Sequence, residues 1–378
     1  MTSRQLRQAF LDFFAARGHK VMPSCSLQPP DATTLFTSAG MQQFVPWWKA
    51  EVPAGAPRVA TCQECFRTSD IEEVGDAWHC SFFEMLGNFS FGDYFKEEAI
   101  ELAWEFSTRV LEFPPARIWI SVHPSDEEAP RIWRDQIGLP QARVIADEDN
   151  WWGPVGPTGP CGPDTELFLD LGEEPGCGEA SCRPGCANPK SRGEGKCERF
   201  VEYWNLVFPS FNKLESGELA PLPMRGIDTG LGFERTVGIL EGAASLYGTD
   251  LFQPIFERAF SLAKAANPKL PVPLSASQQR ALRIITEHAR ALVFLLADGF
   301  TPSNEGAGYV VRRLLRRAYL QGRRLGLEDP FLFKLAQPVA RVMRDTYPEL
   351  REYRSRAVPW VENEEKQFEA TLERALPV

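Results

Sequence analysis

The feature that most constrains this fold is a change of pattern around the loop Asn267-Pro-Lys-Leu-Pro-Val-Pro273. Beyond it, apolar residues recur three and four positions apart through 278–297, 309–325, 330–345 and 361–375, the period of a helix face. Before it, short segments rich in aromatic and β-branched residues read as strands at 59–67, 79–86, 117–122, 165–171, 199–208 and 226–235, with helices at 3–17 and 95–106. Their order is too irregular for β–α alternation, which favours an antiparallel or mixed sheet over a doubly wound one. The pattern predicts an α+β fold: a sheet flanked by helices over residues 1–245, then an all-helical domain over 246–378. In the first helix, Leu6, Phe10, Phe13 and Phe14 share a face, Ser3 is the expected cap and Gly18 the stop.

A formal net charge of −10 excludes indiscriminate nucleic-acid binding, so any such contact needs a local basic face. No apolar run reaches membrane length and no signal region follows the N-terminus, so we expect a cytoplasmic protein without a membrane or DNA partner. Nine cysteines, an odd number, argue against a disulfide framework.

In Gly226-Ile-Asp-Thr-Gly-Leu-Gly-Phe-Glu-Arg235, three glycines let a backbone pass close to a ligand, and the closing Arg suits a phosphate or a base. Tight packing is the competing explanation. Glycine at 153, 156, 159 and 162, each directly followed by proline, is far too short a run for a collagen helix and reads as a rigid, glycine-lined loop beside a ligand. Arg67 ends one strand and His79-Cys-Ser-Phe-Phe83 opens the next, across an acidic loop at 70–76. That pair could sandwich a base between cation and aromatic face, or simply form a core hairpin around Phe82, Phe83 and Phe89.

Cys177, Cys182, Cys186 and Cys197 lie in an insertion at 172–198 with little apolar content. Four thiolates around zinc would order a segment that cannot build a core, with free thiols as the alternative. Cys62 and Cys65 are also spaced C-x-x-C, but on an expected strand. Arg312, Arg313, Arg316 and Arg317 fall on one side of a helix, Val311, Leu314, Leu315 and Ala318 on the other. In an acidic chain this stripe is either a solvated face or a phosphate-binding one. His288, between Ile284 and Leu292, reads as a packed core histidine.

The run from Phe83 to Lys96, FEMLGNFSFGDYFK, resembles the signature of alanyl-tRNA synthetases, which are class II aminoacyl-tRNA synthetases. So do Gly159-Pro-Cys-Gly-Pro163, Trp204-Asn-Leu-Val-Phe208, the Gly226–Arg235 run, and Pro302-Ser-Asn-Glu305 with Gly308-Tyr309, in the family's order. The resemblance implies the class II antiparallel sheet, ATP with Mg²⁺, and attack of the L-alanine carboxylate on the α-phosphate. Arg67, Asp228 and Arg235 would be the catalytic residues. Arg67 would hold the α-phosphate, Phe83 would stack on adenine, and Arg235 would close the other face and reach the γ-phosphate. His79, Met85 and Gly232 would complete the ATP site. Asp228 would take the ammonium of alanine, with Trp152, Asn205, Val207 and Gly230 shaping its pocket. Residues 246–378 would recognise the acceptor stem of tRNA(Ala), Asn304 reading a G·U pair from the minor groove and Arg312, Arg313, Arg316 and Arg317 flanking it. Departures from the family are Cys80 in place of a second His, a short hairpin loop at 68–74, and Ala307 in place of an Arg.

The family's editing domain carries paired His and Cys-His zinc ligands. With four histidines and no two at ligand spacing, editing is expected to be absent from this chain, either as part of a longer enzyme or as a short relative. The competing functions are a noncatalytic RNA-binding or regulatory relative, and a paralogue loading another acceptor.

Overall fold

The computed structural model describes residues 1–30, 34–174, 176–186 and 197–375. Eleven strands form one sheet system: β1 (Lys20–Val21), β2 (Arg58–Phe66), β3 (Phe82–Phe91), β4 (Ile118–Val122), β5 (Val144–Ala146), β6 (Trp151–Trp152), β7 (Gly159–Asp170), β8 (Phe200–Val207), β9 (Phe211–Lys213), β10 (Leu219–Pro221) and β11 (Gly226–Gly232). Their main order is β1-β2-β3-β11-β8-β7-β4-β5, while β6 and the β9–β10 hairpin pair with the start of β7. The interior is antiparallel, and only the two edge pairs, β1 with β2 and β4 with β5, run parallel.

The helices are α1 (Ser3–Ala15), α2 (Val45–Trp48), α3 (Lys96–Glu105), α4 (Glu128–Arg131), α5 (Phe233–Leu240), α6 (Gln253–Ala266), α7 (Ala276–Ala297), α8 (Gly306–Leu325), α9 (Ala336–Met343) and α10 (Leu350–Ala375). No strand follows β11 among the described residues. None of these helices is long and apolar enough to cross a membrane.

Local physics moves several boundaries from their expected places. Thr2, not Ser3, caps α1, in a reciprocal capping box with Gln5. The second strand of the long hairpin starts at Phe82 rather than at 79, because the Asp76 carboxylate accepts from the backbone N–H groups of Trp78 and His79 and turns the chain there. The glycine–proline run is not all loop: from Gly159 onward it is the start of β7, held by β6 and β9 on either flank. Its periodicity concealed that pairing because both partners are short, two residues in β6 and three in β9.

One face of the sheet packs against α1 and α3 around Phe10, Phe14, Phe106 and Trp204, all fully buried. The same apolar cluster continues without a break into α7, α8, α9 and α10. A buried ionic knot joins these parts. Arg7 of α1 grips Glu84 of β3 through two 2.7 Å hydrogen bonds, Tyr347 donates to the same carboxylate at 2.8 Å, and Arg290 of α7 lies 3.5 Å from it. Burial opposes charge on Glu84, but Arg7 and Arg290 outweigh it and hold the carboxyl below its ordinary range. Glu84→Gln leaves the Arg7 guanidinium undercompensated in the interior, while Arg290 keeps Glu234 at 2.5 Å, and is expected to cost about 3–5 kcal/mol in denaturant unfolding.

Candidate active site

Antiparallel register assembles the site. Asp228 and Gly230 of β11 lie opposite Val207 and Asn205 of β8. Those in turn face Asp164 and Glu166 of β7, and Gly232 faces Met85 of β3. Directly opposed residues, and residues two apart, share a sheet face, so chain positions from 85 to 232 converge on one floor. Above it is a cavity of about 250 Å³, lined by every residue that the sequence assigned to nucleotide or alanine.

At the amino-acid end, Asn205, Val207, Asp228, Gly230 and Trp152 sit together. Asp228 is 4% exposed, and its carboxylate has no hydrogen-bond or ion-pair partner among the described residues. Burial pushes its pKa up to about 8, with Arg67 pulling it down and Asp164 pushing it further up. Beside it, Asn205 donates weakly to Asp164 and Glu166 at 3.3 Å each, while its own buried carbonyl oxygen has no partner. Two uncommitted acceptors in a buried recess are suited to an ammonium group. Space here is set by Gly230: a Cβ would stand 2.9 Å from the Met85 sulfur. Gly226, in the same run, serves packing instead, since a Cβ there would overlap the Ser90 carbonyl and the Trp48 indole nitrogen.

At the other end, Arg67 lies with its guanidinium 5.0 Å from the centre of the Phe83 ring and its Nε donating to the Ser38 carbonyl at 3.0 Å. Arg235 enters on the first turn of α5 and donates to Glu202 at 2.7 Å. His79 is fastened through Nδ1 to Asp76 at 2.5 Å. Met85, Phe83 and Gly232 complete this wall. Cys80 also lines the cavity, and burial pushes its thiol well up, so it stays a neutral wall group. A second cavity of about 550 Å³ adjoins the first, sharing Ala39, Arg67, Asp70 and Trp152 with it.

Three carboxylates were not anticipated: Asp164, Glu166 and Glu202. Burial raises Glu166 to about 9, reinforced by the charges of Glu202 and Asp164 and opposed by Arg235. Burial likewise raises Asp164 to about 7. The signal of Asp164 and Glu166 was present, as acidic residues two apart in the strand Asp-Thr-Glu-Leu-Phe-Leu, but the face they share with Glu202 of β8 depended on pairing of the two strands. Glu166 and Glu202 offer hard oxygen donors next to the arginine, which fits Mg²⁺ held by one or two carboxylates together with substrate phosphates.

Away from the cavity, the sulfurs of Cys177, Cys182 and Cys197 all lie within 4.8 Å of one another. Cys186 joins through Cys177 at 3.9 Å, and Cys182 is 3.4 Å from Cys197. Zn–S bonds near 2.3 Å place tetrahedral sulfurs about 3.8 Å apart, so the donor set fits zinc. Residues 187–196 lie outside the described residues. Cys62 and Cys65 instead point to opposite faces of β2, Cys62 donating to Glu84 at 3.3 Å. We expect about one zinc per purified chain by metal analysis, lost in a Cys182→Ser/Cys186→Ser double variant. Metal-free protein with an intact loop would refute this assignment.

The arginines of α8 are less free than their spacing suggested. Arg312 is held by Glu364 of α10 at 2.7 Å and is only 17% exposed, and it donates to the Asn304 carbonyl oxygen. Arg313 reaches Glu72. Arg316 lies over Phe368, 3.8 Å from Glu364. Arg317 turns inward to His288. Packing of α8 between α7 and α10 leaves room for only part of the stripe to face solvent.

The family profile for class II (A) tRNA synthetases matches residues 5–377. A Thermotoga maritima protein described as "Alanine--tRNA ligase" is 48% identical over 381 residues, covering 100% of this chain and 43% of that protein. Proteins of the same description from Dehalococcoides mccartyi (strain CBDB1) and Desulfitobacterium hafniense (strain Y51) are 47% and 45% identical, each covered over 42% of its length. The chain thus spans less than half the length of these curated relatives. A solved apo histidyl-tRNA synthetase of S. aureus is only distantly similar, with a TM-score of 0.37 at 12% identity over 61% of this chain and 64% of that one.

Proposed function

Because this chain belongs to the class II (A) tRNA synthetases, we propose that its cavity activates L-alanine with ATP and passes the alanyl group to the 3′ end of tRNA(Ala). The observation that carries this reading is Asp228: a buried carboxylate without a protein partner among the described residues, beside Gly230, within one cavity with two guanidiniums.

The alanine ammonium binds Asp228 and the orphan oxygen of Asn205. Its methyl lies against Val207, Trp152 and the open face of Gly230. That leaves the carboxylate pointing along the cavity toward the nucleotide end. Adenine stacks on Phe83 and displaces Arg67 from the ring, freeing that guanidinium for the α-phosphate. Arg235, steadied by Glu202, covers the far face of the base and reaches the γ-phosphate. When bound, Mg²⁺ would be held by Glu166 and Glu202 and would neutralise phosphate charge. An alanine carboxylate oxygen attacks the α-phosphorus, the bond to the β-phosphate oxygen breaks, and pyrophosphate leaves. A hydroxyl of the terminal ribose of the RNA then attacks the alanyl carbonyl, and AMP leaves. No side-chain nucleophile is needed, since positioning and charge neutralisation supply the catalysis.

We assign residues 246–378 to the RNA acceptor stem. Asn304 is exposed, Arg312 occupies its carbonyl, and its NH₂ has no partner among the described residues, leaving a donor for acceptors in a minor groove. Arg313 and Arg316 are the arginines of the stripe best placed for phosphate. We also assign zinc to the four cysteines and the cytoplasm as the location. Pyrophosphate exchange into ATP, run side by side with alanine, glycine and serine, tests the reading: exchange strongest with alanine supports it, and no exchange with any of the three overturns it. Charging of tRNA with its G·U pair replaced tests the acceptor assignment.

A further inference from the structure

Helix α7 carries Glu287, His288 and Arg290 at its buried centre, each no more than 1% exposed. One oxygen of Glu287 accepts from the Ser81 backbone N–H at 2.6 Å, the Ser81 hydroxyl at 2.7 Å and the Phe82 backbone N–H at 3.1 Å. Its other oxygen lies 2.5 Å from His288 Nδ1. The remaining ring nitrogen, Nε2, lies 2.8 Å from Nη1 of Arg317 on α8. Arg317 also donates to the carbonyls of Glu72 and Val74, at 3.3 and 3.2 Å, in the loop between β2 and β3.

Donor chemistry gives this chain a direction. A guanidinium has no acceptor, so Nε2 of His288 must accept, and the ring's proton sits on Nδ1 and is donated to Glu287. Each link therefore dictates the next, from α8 through α7 to Ser81 and Phe82, where β3 begins. Phe82 is further clamped by stacking on Phe294, with centroids 4.1 Å apart, and by Arg290 donating to its carbonyl at 3.2 Å. The next residue is Phe83, on the cavity wall.

We propose that Glu287, oriented by a neutral Nδ1-protonated His288 that Arg317 anchors from α8, is a positioning residue for the nucleotide-binding hairpin. Arg317 then acts inward as a strut, not outward on RNA phosphate. This inference rests on the nucleotide reading of the cavity.

Glu287→Gln tests it, because the side chain keeps its volume and a carbonyl for Ser81 and Phe82 but turns an NH₂ toward Nδ1–H. Two donors then face each other. If the ring shifts its proton to Nε2, it meets the donors of Arg317 instead. Only a second change, Arg317→Gln, supplies an acceptor there and lets the chain run in reverse. In RNA-free exchange, E287Q is expected to raise the ATP KM about tenfold with the alanine KM within about twofold, and E287Q/R317Q to return the ATP KM to within about threefold of the parent. An unchanged ATP KM in E287Q, or a double variant no better than E287Q, overturns the proposal. Parent protein that shows no exchange at all would instead mean that the nucleotide reading has failed. A second measurement does not depend on activity or on the folding of E287Q. In ¹⁵N-histidine NMR of the parent, with the resonance identified by its loss in His288→Gln, His288 should be the neutral Nδ1–H tautomer. An Nε2–H or doubly protonated ring overturns the proposal.

Discussion

Asp228→Asn should abolish alanine-dependent pyrophosphate exchange, lowering kcat/KM for alanine by about 10²–10³-fold, the cost of removing one partner from a desolvated charge pair. The fold should survive, because the carboxylate contributes no hydrogen bond among the described residues. Its electrostatics predict a second, opposite effect. Burial raises the Asp228 pKa to about 8 in the ligand-free protein, so between about pH 4 and 8 the folded state binds a proton that the unfolded chain releases. Asp228 therefore contributes stability at low pH that is lost as pH rises through about 8. The Asn variant lacks that loss, and should exceed the parent in thermal stability above pH 8 while remaining inactive. The parent should also release protons on binding alanine near pH 7, as the incoming ammonium restores the carboxylate; calorimetry in buffers of differing ionisation enthalpy measures this. Unchanged exchange in D228N would remove the amino-acid assignment of the pocket.

The second large effect is expected at Arg235. Arg235→Gln should reduce kcat for adenylate formation by about 10²–10³-fold, the scale for losing one preorganised donor at developing charge, with the alanine KM little changed. Lysine should not restore it, because a point charge cannot both cover a base and fork onto phosphate. The loss has a local component too: Arg235 is the cation that opposes the mutual repulsion of Glu202 and Glu166. Single-turnover measurement with both alanine and ATP saturating separates these effects, since a defect confined to ATP affinity would leave the saturated rate intact. That outcome would place Arg235 in binding alone.

Much of the site was legible because the family resemblance named its residues, and the short period of strand alternation agrees with that set. Once 226–235 and 199–208 are strands, Asp228 with Gly230 and Asn205 with Val207 must each share a face, whatever lies between the two segments. For the hairpin residues Arg67, His79 and Phe83, spacing left a core hairpin open and the resemblance supplied the nucleotide roles; the second strand itself begins later than the pattern suggested. The acidic side was missed. Asp164, Glu166 and Glu202 look like ordinary solvent-facing residues of two strands until β7 and β8 are paired and covered. The α8 stripe was seen, but helical spacing carries no information about what packs against each side. The neighbour that occupies Arg312 is Glu364, and the one that occupies Arg317 is His288, from helices whose placement depends on the whole core.

The longer strands and helices, the family, and the residue types that converge on the pocket follow from the sequence alone, because periodicity and motif spacing are local properties of a chain. Which polar groups find partners and which remain unsatisfied was decided only by the tertiary structure. Glu287 meets Ser81 across 206 positions, whereas the Asp228 carboxylate meets no polar partner among the described residues. Hydrogen bonds have a reach of about 3 Å, so their pattern exists only after packing has brought distant segments together.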